Sequence, residues 1–371
     1  MAELLKHIYS HAFFEEFTTV LQKVIPYFNT SSFIKQIYDN EWEKKELKQR
    51  MRHITVVLQS HLQPNYSKNV DTLLNVIKQL QKEGIKENSL EYMFFPDFIE
   101  FYGINDYDTS IRAIEEITQF TSCEFAIRPF LIKFPKKGII QMTKWSTHTH
   151  YMVRRLSSEG CRPRLPWAIA LPFLKKDPTP ILPILKNLKE DESELVRRSV
   201  ANNLNDIAKD HPTVVTDIAK NWIDKSKEID WLVKHGCRTL LKQGNPEIMS
   251  LFGFRANDKI KIKKLKILTP IVQIGNTLEF TFELHNTDNR PSKIRLEYGL
   301  YYQKANGNLS KKVFKISEKA YPKNSITTIY RKQSFKIITT RKFHLGLHQL
   351  SIIINGNEFK KHAFKLDDKK P

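Results

Sequence analysis

Three acids stand where a carboxylate could do chemistry. Glu124 lies in Ser122-Cys123-Glu124-Phe125, Glu159 stands among Arg154, Arg155, Arg162 and Arg164, and Asp206 follows Asn205. Each has a structural reading. Glu159 can be a salt-bridge partner, Asp206 a helix-end hydrogen bonder, and Glu124 a first-turn acid favoured by the helix dipole. Each also has a chemical one. A carboxylate held near a nucleic-acid backbone and kept ionised by arginines can stabilise a cationic sugar and hold an attacking water. Breaking an N-glycosidic bond requires this, and a base that is already cationic leaves without a strong general acid. Trp145, Trp167 and Trp231 are candidates to pack against deoxyribose or base, with core packing as the alternative for each.

Other chemistries find no foothold. There is no Walker loop, G-x-G-x-x-G, H-E-x-x-H or paired C-x-x-C. His148 and His150 lack a nearby third ligand and read as surface or phosphate-contacting residues, so no metal and no cofactor is expected. Ser157-Ser158-Glu159-Gly160 is not a nucleophile elbow. Cys123, Cys161 and Cys237 are odd in number and far apart, which points to a reducing cytoplasm. The N-terminal stretch carries acids in its apolar pattern and no small-residue cleavage site, so it does not read as a signal peptide. No apolar run is long enough for a membrane span.

The acids must be positioned by a repeat. Val153-Arg154-Arg155 recurs 43 residues later as Val196-Arg197-Arg198, and a weaker copy runs from Trp231 through Leu240. Periods of this length belong to two-helix HEAT-like repeats. Stacked helix pairs line one concave surface that can follow a duplex and offer helix N-termini to phosphates. Prolines at 129, 163, 166, 172, 178, 180, 183 and 212 suit turns and first helical positions. Before the repeats, apolar spacing predicts helices near the N-terminus, after Ser10, and over 31–62, 69–83 and 109–121.

Near residue 255 the pattern changes to period two. Strands are expected at 261–268, 277–285, 293–302, 311–316, 325–329, 349–354 and 359–366, with hairpin turns at Asn306-Gly307 and Asn355-Gly356. Seven short strands without cysteine fit an immunoglobulin-like β-sandwich without its disulfide. The expected architecture is therefore an α-α superhelix of HEAT-like repeats over 1–255, followed by a β-sandwich over 259–371. The charge follows this division. Of a net +20, residues 258–371 hold 24 Lys and Arg against 9 Asp and Glu, a net +15. Edge protection explains some of those lysines, but the excess points to a polyanion.

Three strings resemble the AlkC branch of the HEAT-like DNA alkylation-repair glycosylases. They are Ser122–Leu131, the stretch from Trp145-Ser146-x-His148 through Val153–Ala168, and Val196–Pro212. The resemblance covers most of residues 1–255, and the β domain is similar to one carried by a subset of that branch. Thr149 and His150 depart from the family pattern. The Lys/Ile/Asn-rich usage is compatible with an AT-rich bacterial genome, and the cysteine usage with the cytoplasm; the resemblance implies a monofunctional glycosylase. It would remove 3-methyladenine, 3-methylcytosine and 1-methyladenine from duplex DNA without flipping the base into a pocket, and act as a monomer. It places catalysis on Glu124, Glu159 and Asp206. The DNA-contacting candidates are Trp145, His148, Arg154, Arg155, Arg162, Arg164, Trp167, Arg197, Arg198, Trp231 and Arg238. A non-catalytic HEAT-repeat module that binds DNA or protein is the alternative, since helical repeats commonly serve as scaffolds.

Overall fold

The computed structural model describes residues 4–87, 89–337 and 342–368. The chain forms two compact units, one of Met1–Val215 with Trp222–Gly236 and the other of Thr216–Asn221 with Cys237–Pro371. The first is helical. Its opening helix, His11–Val24, is capped by the Ser10 hydroxyl, which accepts the Phe13 N–H. Phe14 and Phe17 on its inner face are buried against Phe33, Trp42 and Phe94. The stretch expected as one helix over 31–62 is two, Thr30–Ile37 and Leu47–Ser60, because a capping box of Glu46 and Gln49 restarts the chain. A helix that the sequence reading passes over, Phe94–Tyr102, is short, carries Pro96 in its first turn and buries Phe94, Phe95, Phe98 and Ile99.

The repeat is realised in space. Helices Tyr151–Glu159, Glu194–Ile207 and Lys227–Gly236 carry its three copies, and the middle one packs against both others. Gly160 lets the first of them end closely against its neighbours. A Cβ there would lie 2.7 Å from Ile127, 2.8 Å from Met142 and 3.0 Å from the Leu156 carbonyl. Pro172 and Pro212 open helices, as their fixed φ and missing N–H favour. Among the described residues, no helix is long and apolar enough to cross a membrane.

In the second unit the strands are β1 (Ile260–Ile267), β2 (Ile271–Gln273), β3 (Thr277–Asn286), β4 (Ser292–Gln303) and β5 (Leu309–Tyr321), then β6 (Ser325–Ser334), β7 (Gly346–Ile354), β8 (Asn357–Glu358) and β9 (His362–Asp367). One sheet has the order β1-β3-β6. The other runs β2-β9-β7-β4-β5, with β8 on β7. Leu278, Phe280, Phe282 and Leu284 alternate inward from β3 and share one core with Leu296, Leu300, Ile352 and Phe364. Both Asn-Gly pairs form turns. Asn355 and Gly356 adopt φ of 47° and 84°, the positive values a tight hairpin needs. The short strands β2 and β8 escape the sequence pattern; β2 joins β9 in parallel over only three residues.

Candidate functional site

The first two repeat copies bring distant acids together. On helix Glu194–Ile207, Ser199, Asn203 and Asp206 follow one another at helical spacing on one face. That face meets the end of helix Tyr151–Glu159, where the Asn203 amide donates to the Ser158 carbonyl at 2.8 Å. Ser199 donates to Glu159 Oε2 at 2.6 Å. Arg162 then bridges two carboxylates. Its Nη1 reaches Glu159 Oε1 at 2.5 Å and its Nε reaches Asp206 Oδ2 at 2.9 Å. Lys209 closes the chain on Asp206 Oδ1 at 2.8 Å. Burial works against the Arg162 charge, but Glu159 and Asp206 outweigh it and hold the guanidinium above its ordinary pKa.

A second ion pair flanks the first. Arg155 reaches Glu124 at 2.8 Å, and Ser122 donates to the same carboxylate at 2.9 Å. Glu124, Glu159 and Arg162 all open on a cleft of about 400 Å³ whose walls include Met51, Met93, Pro96, Glu100, Phe125, Leu165 and Trp167. The cleft is largely apolar, with few and placed polar groups, as a ligand site requires. Asp206 is 1% exposed and does not line it; it sits beneath Arg162.

The other candidates divide by burial. Trp145 is 1% exposed, and its indole N–H is bound to Glu115, so it is a core residue rather than one that meets DNA. Arg154 is spent on Asp191 at 2.6 and 3.1 Å and on the carbonyls of His148 and Thr149. Arg197, its counterpart in the next copy, grips the carbonyls of Asp191 and Glu192. The first arginine of each pair therefore ties down the loop before the Glu194 helix, and neither is a free phosphate contact. The second arginines differ: Arg155 takes Glu124, while the exposed Arg198 takes Glu194 and lies 6.0 Å from the ring of Trp231. Trp231 is partly exposed and stacks on His235 at 5.1 Å. Arg164 pairs with Asp210 through two bonds. His148 is half-buried, its Nδ1 accepting the His150 N–H and its Nε2 3.7 Å from Glu115. Arg238 lies half-buried in the other compact unit.

Trp167 is 70% exposed and has φ of 64°. Pro166 precedes it, and the Ala168 N–H returns to the Leu165 carbonyl at 3.3 Å. The third position of such a turn normally takes Gly or Asn. A bulky residue there is strained by about 1–3 kcal/mol and persists only where its surroundings over-determine it.

The fold is shared with proteins of known structure and sequence. The family model "Uncharacterised protein YhaZ, C-terminal Ig-like domain" matches residues 261–368. "Uncharacterized protein YhaZ" of Bacillus subtilis (strain 168) is 41% identical over 352 residues, which cover 95% of this chain and 96% of that protein. The structure of Pseudomonas fluorescens alkylpurine DNA glycosylase AlkC, bound to DNA containing an abasic-site analogue, superposes with a TM-score of 0.90. The two are 32% identical, and the match covers 98% of this chain and all of that one. The chain belongs to the AlkC family of DNA alkylation-repair glycosylases.

Two features of this AlkC-family chain lie outside the candidates drawn from sequence. Arg128 is fully buried and donates to three carbonyls, those of Ile169 (2.6 Å), Gly160 (2.9 Å) and Arg162 (2.9 Å). It thereby fixes from inside the loop that carries Arg162 and Trp167. Burial lowers its pKa to about 10, so it stays charged at neutral pH. A charged residue in the first turn of helix Ile127–Lys133, apolar from there until its final Lys133, is the sequence signal it leaves. The second feature is Glu100, across the cleft. Asp97 takes Arg52 at 2.7 and 2.8 Å, leaving Glu100 at 3.7 Å from the same guanidinium.

Burial first, and then the Asp97 charge, push the Glu100 pKa up to about 7 from 4.5. The folded state therefore holds this proton more tightly than the unfolded chain, and stability falls as pH rises between those values. Glu100→Gln is expected to match wild type near pH 4.5 and to exceed it at pH 8 by roughly 1–3 kcal/mol. Thermal melts at both pH values test this; a difference that does not depend on pH would contradict it.

Proposed function

We propose that this AlkC-family chain hydrolyses the N-glycosidic bond of cationic N-methylated bases in duplex DNA. The substrates are 3-methyladenine, 3-methylcytosine and 1-methyladenine, acted on without the base being flipped into a pocket. Residues 1–255 form the glycosylase domain and residues 259–371 a basic domain that adds electrostatic hold. The observation that carries the reading is the pair of acids Glu124 and Glu159 on one apolar cleft, each locked to an arginine. As the bond to the cationic base breaks, the bonding electrons leave with the base, which departs neutral, and positive charge develops on the sugar. Fixed carboxylates stabilise that charge without reorganising. Water then adds to the sugar and gives its proton to a carboxylate or to solvent. Asp206 holds Arg162 in place from behind, and the relative whose structure is known with DNA containing an abasic-site analogue supports DNA as the partner.

Release of free methylated bases from methylated duplex DNA is the deciding measurement. Catalytic release confirms the reading. Tight binding with no release leaves the alternative, a non-catalytic HEAT-repeat module that binds DNA or protein.

The role of the β domain has its own test. Lys261, Lys263 and Lys266 are exposed on β1. Each phosphate neutralised contributes about 0.9 to the slope of log affinity against log salt. Changing all three to Ser is expected to flatten that slope by roughly two to three. An unchanged slope would remove this strand from the DNA interface.

A further inference from the structure

The strained Trp167 backbone has a holder on helix Leu47–Ser60, which also sends Met51 into the cleft. Lys48, the second residue of helix Leu47–Ser60, donates its ammonium to the Trp167 carbonyl, a contact across 119 residues of sequence. The same Nζ lies 4.4 Å from the ring centre of Phe125, the neighbour of Glu124. Arg128 grips Ile169 from within, and the Leu171 N–H returns to Pro163 at 3.2 Å. The loop is thus pinned on its buried side by Arg128 and on its open side by Lys48. Between them, an exposed indole is held at the edge of the acid-bearing cleft in a conformation its own backbone disfavours. Core packing does not explain the indole's position, because most of the ring faces solvent.

We propose that Lys48 is a positioning residue that, through Trp167, fixes the aromatic lip of the cleft against a bound duplex. The inference rests on the glycosylase reading. It separates Lys48 from the basic residues that meet phosphate: its charge is directed at a carbonyl and an aromatic face within the protein. Its side chain is exposed, so its loss removes no part of the core.

The test is a double-mutant cycle in the full-length protein with Lys48→Met, Trp167→Ala, the pair together, and Lys48→Arg. Single-turnover base release from methylated duplex should fall about tenfold in Lys48→Met and recover to within about threefold in Lys48→Arg, with melting temperatures unchanged. The double variant should be no slower than Trp167→Ala alone, because Lys48 acts only through that residue. The salt slope of DNA affinity should not move. Effects that multiply, or a slope reduced by about one, would make Lys48 a direct phosphate contact and overturn the proposal. Unchanged release in Lys48→Met would overturn it too. If wild type releases no base, the glycosylase reading fails instead. The same cycle is then read from affinity for duplex carrying an abasic-site analogue, where additive losses would again overturn the role of Lys48.

Discussion

Glu159→Gln is expected to reduce base release from methylated duplex DNA by about 10²–10³-fold, the loss typical of removing one preorganised electrostatic stabiliser. Two features of the geometry support an effect of this size. The carboxylate is held at both oxygens, by Ser199 and by Arg162, so its charge is aimed rather than averaged over rotamers. It borders the cleft while only 5% exposed, where screening by water is weak. Gln has nearly the same shape but lacks the charge, so DNA binding should persist. Ser199→Ala, which loosens the carboxylate without discharging it, should cost about tenfold. Single-turnover release and equilibrium binding measured on the same preparations separate chemistry from affinity. A Glu159→Gln protein that released bases at the wild-type rate would return Glu159 to the status of a salt-bridge residue.

The sequence made the frame of this site visible and its wiring less so. The Val-Arg-Arg repeat announced two equivalent helices, and these do lie side by side. Repetition could not say that the first arginine of each pair turns inward to the loop before Glu194, because an arginine that grips carbonyls is spelled like one that meets phosphate. Trp145 and Trp167 stand at equally suggestive places in the sequence. Only packing separates them: one closes a core beside Glu115, and the other is lifted into solvent by a turn with positive φ. The β domain was more legible, since a period of two leaves little freedom in strand placement and Asn-Gly marks its turns. Strands of two or three residues, such as β2 and β8, are too short to carry a period. The Phe94–Tyr102 helix escaped for another reason: it is nine residues long and carries Pro96 in its first turn, where proline reads as a break yet is tolerated. Glu100, raised in pKa from that same helix, went unnoticed with it.

Arg162→Met is expected to be the most destabilising of these changes, because it strands two buried carboxylates at once. Arg162 was a candidate for contacting DNA, yet its Nε and Nη1 are engaged by Asp206 and Glu159, and little of it is exposed. Removing one partner from a buried ion pair typically costs about 3–5 kcal/mol. Here Lys209 continues to serve Asp206, and Ser199 continues to serve Glu159, which argues for the lower half of that range. Lys is a poor substitute, since one ammonium on a flexible stem cannot reproduce a planar fork spanning both acids. Adding Glu159→Gln to Arg162→Met should restore part of the lost stability by removing a stranded charge, while release stays at the low level of Glu159→Gln alone. Urea unfolding of the four proteins measures this coupling. If Arg162→Met instead kept full stability and lowered the salt slope of DNA binding by about one, the guanidinium would belong to the phosphate interface. The linked acids would then need another source of order.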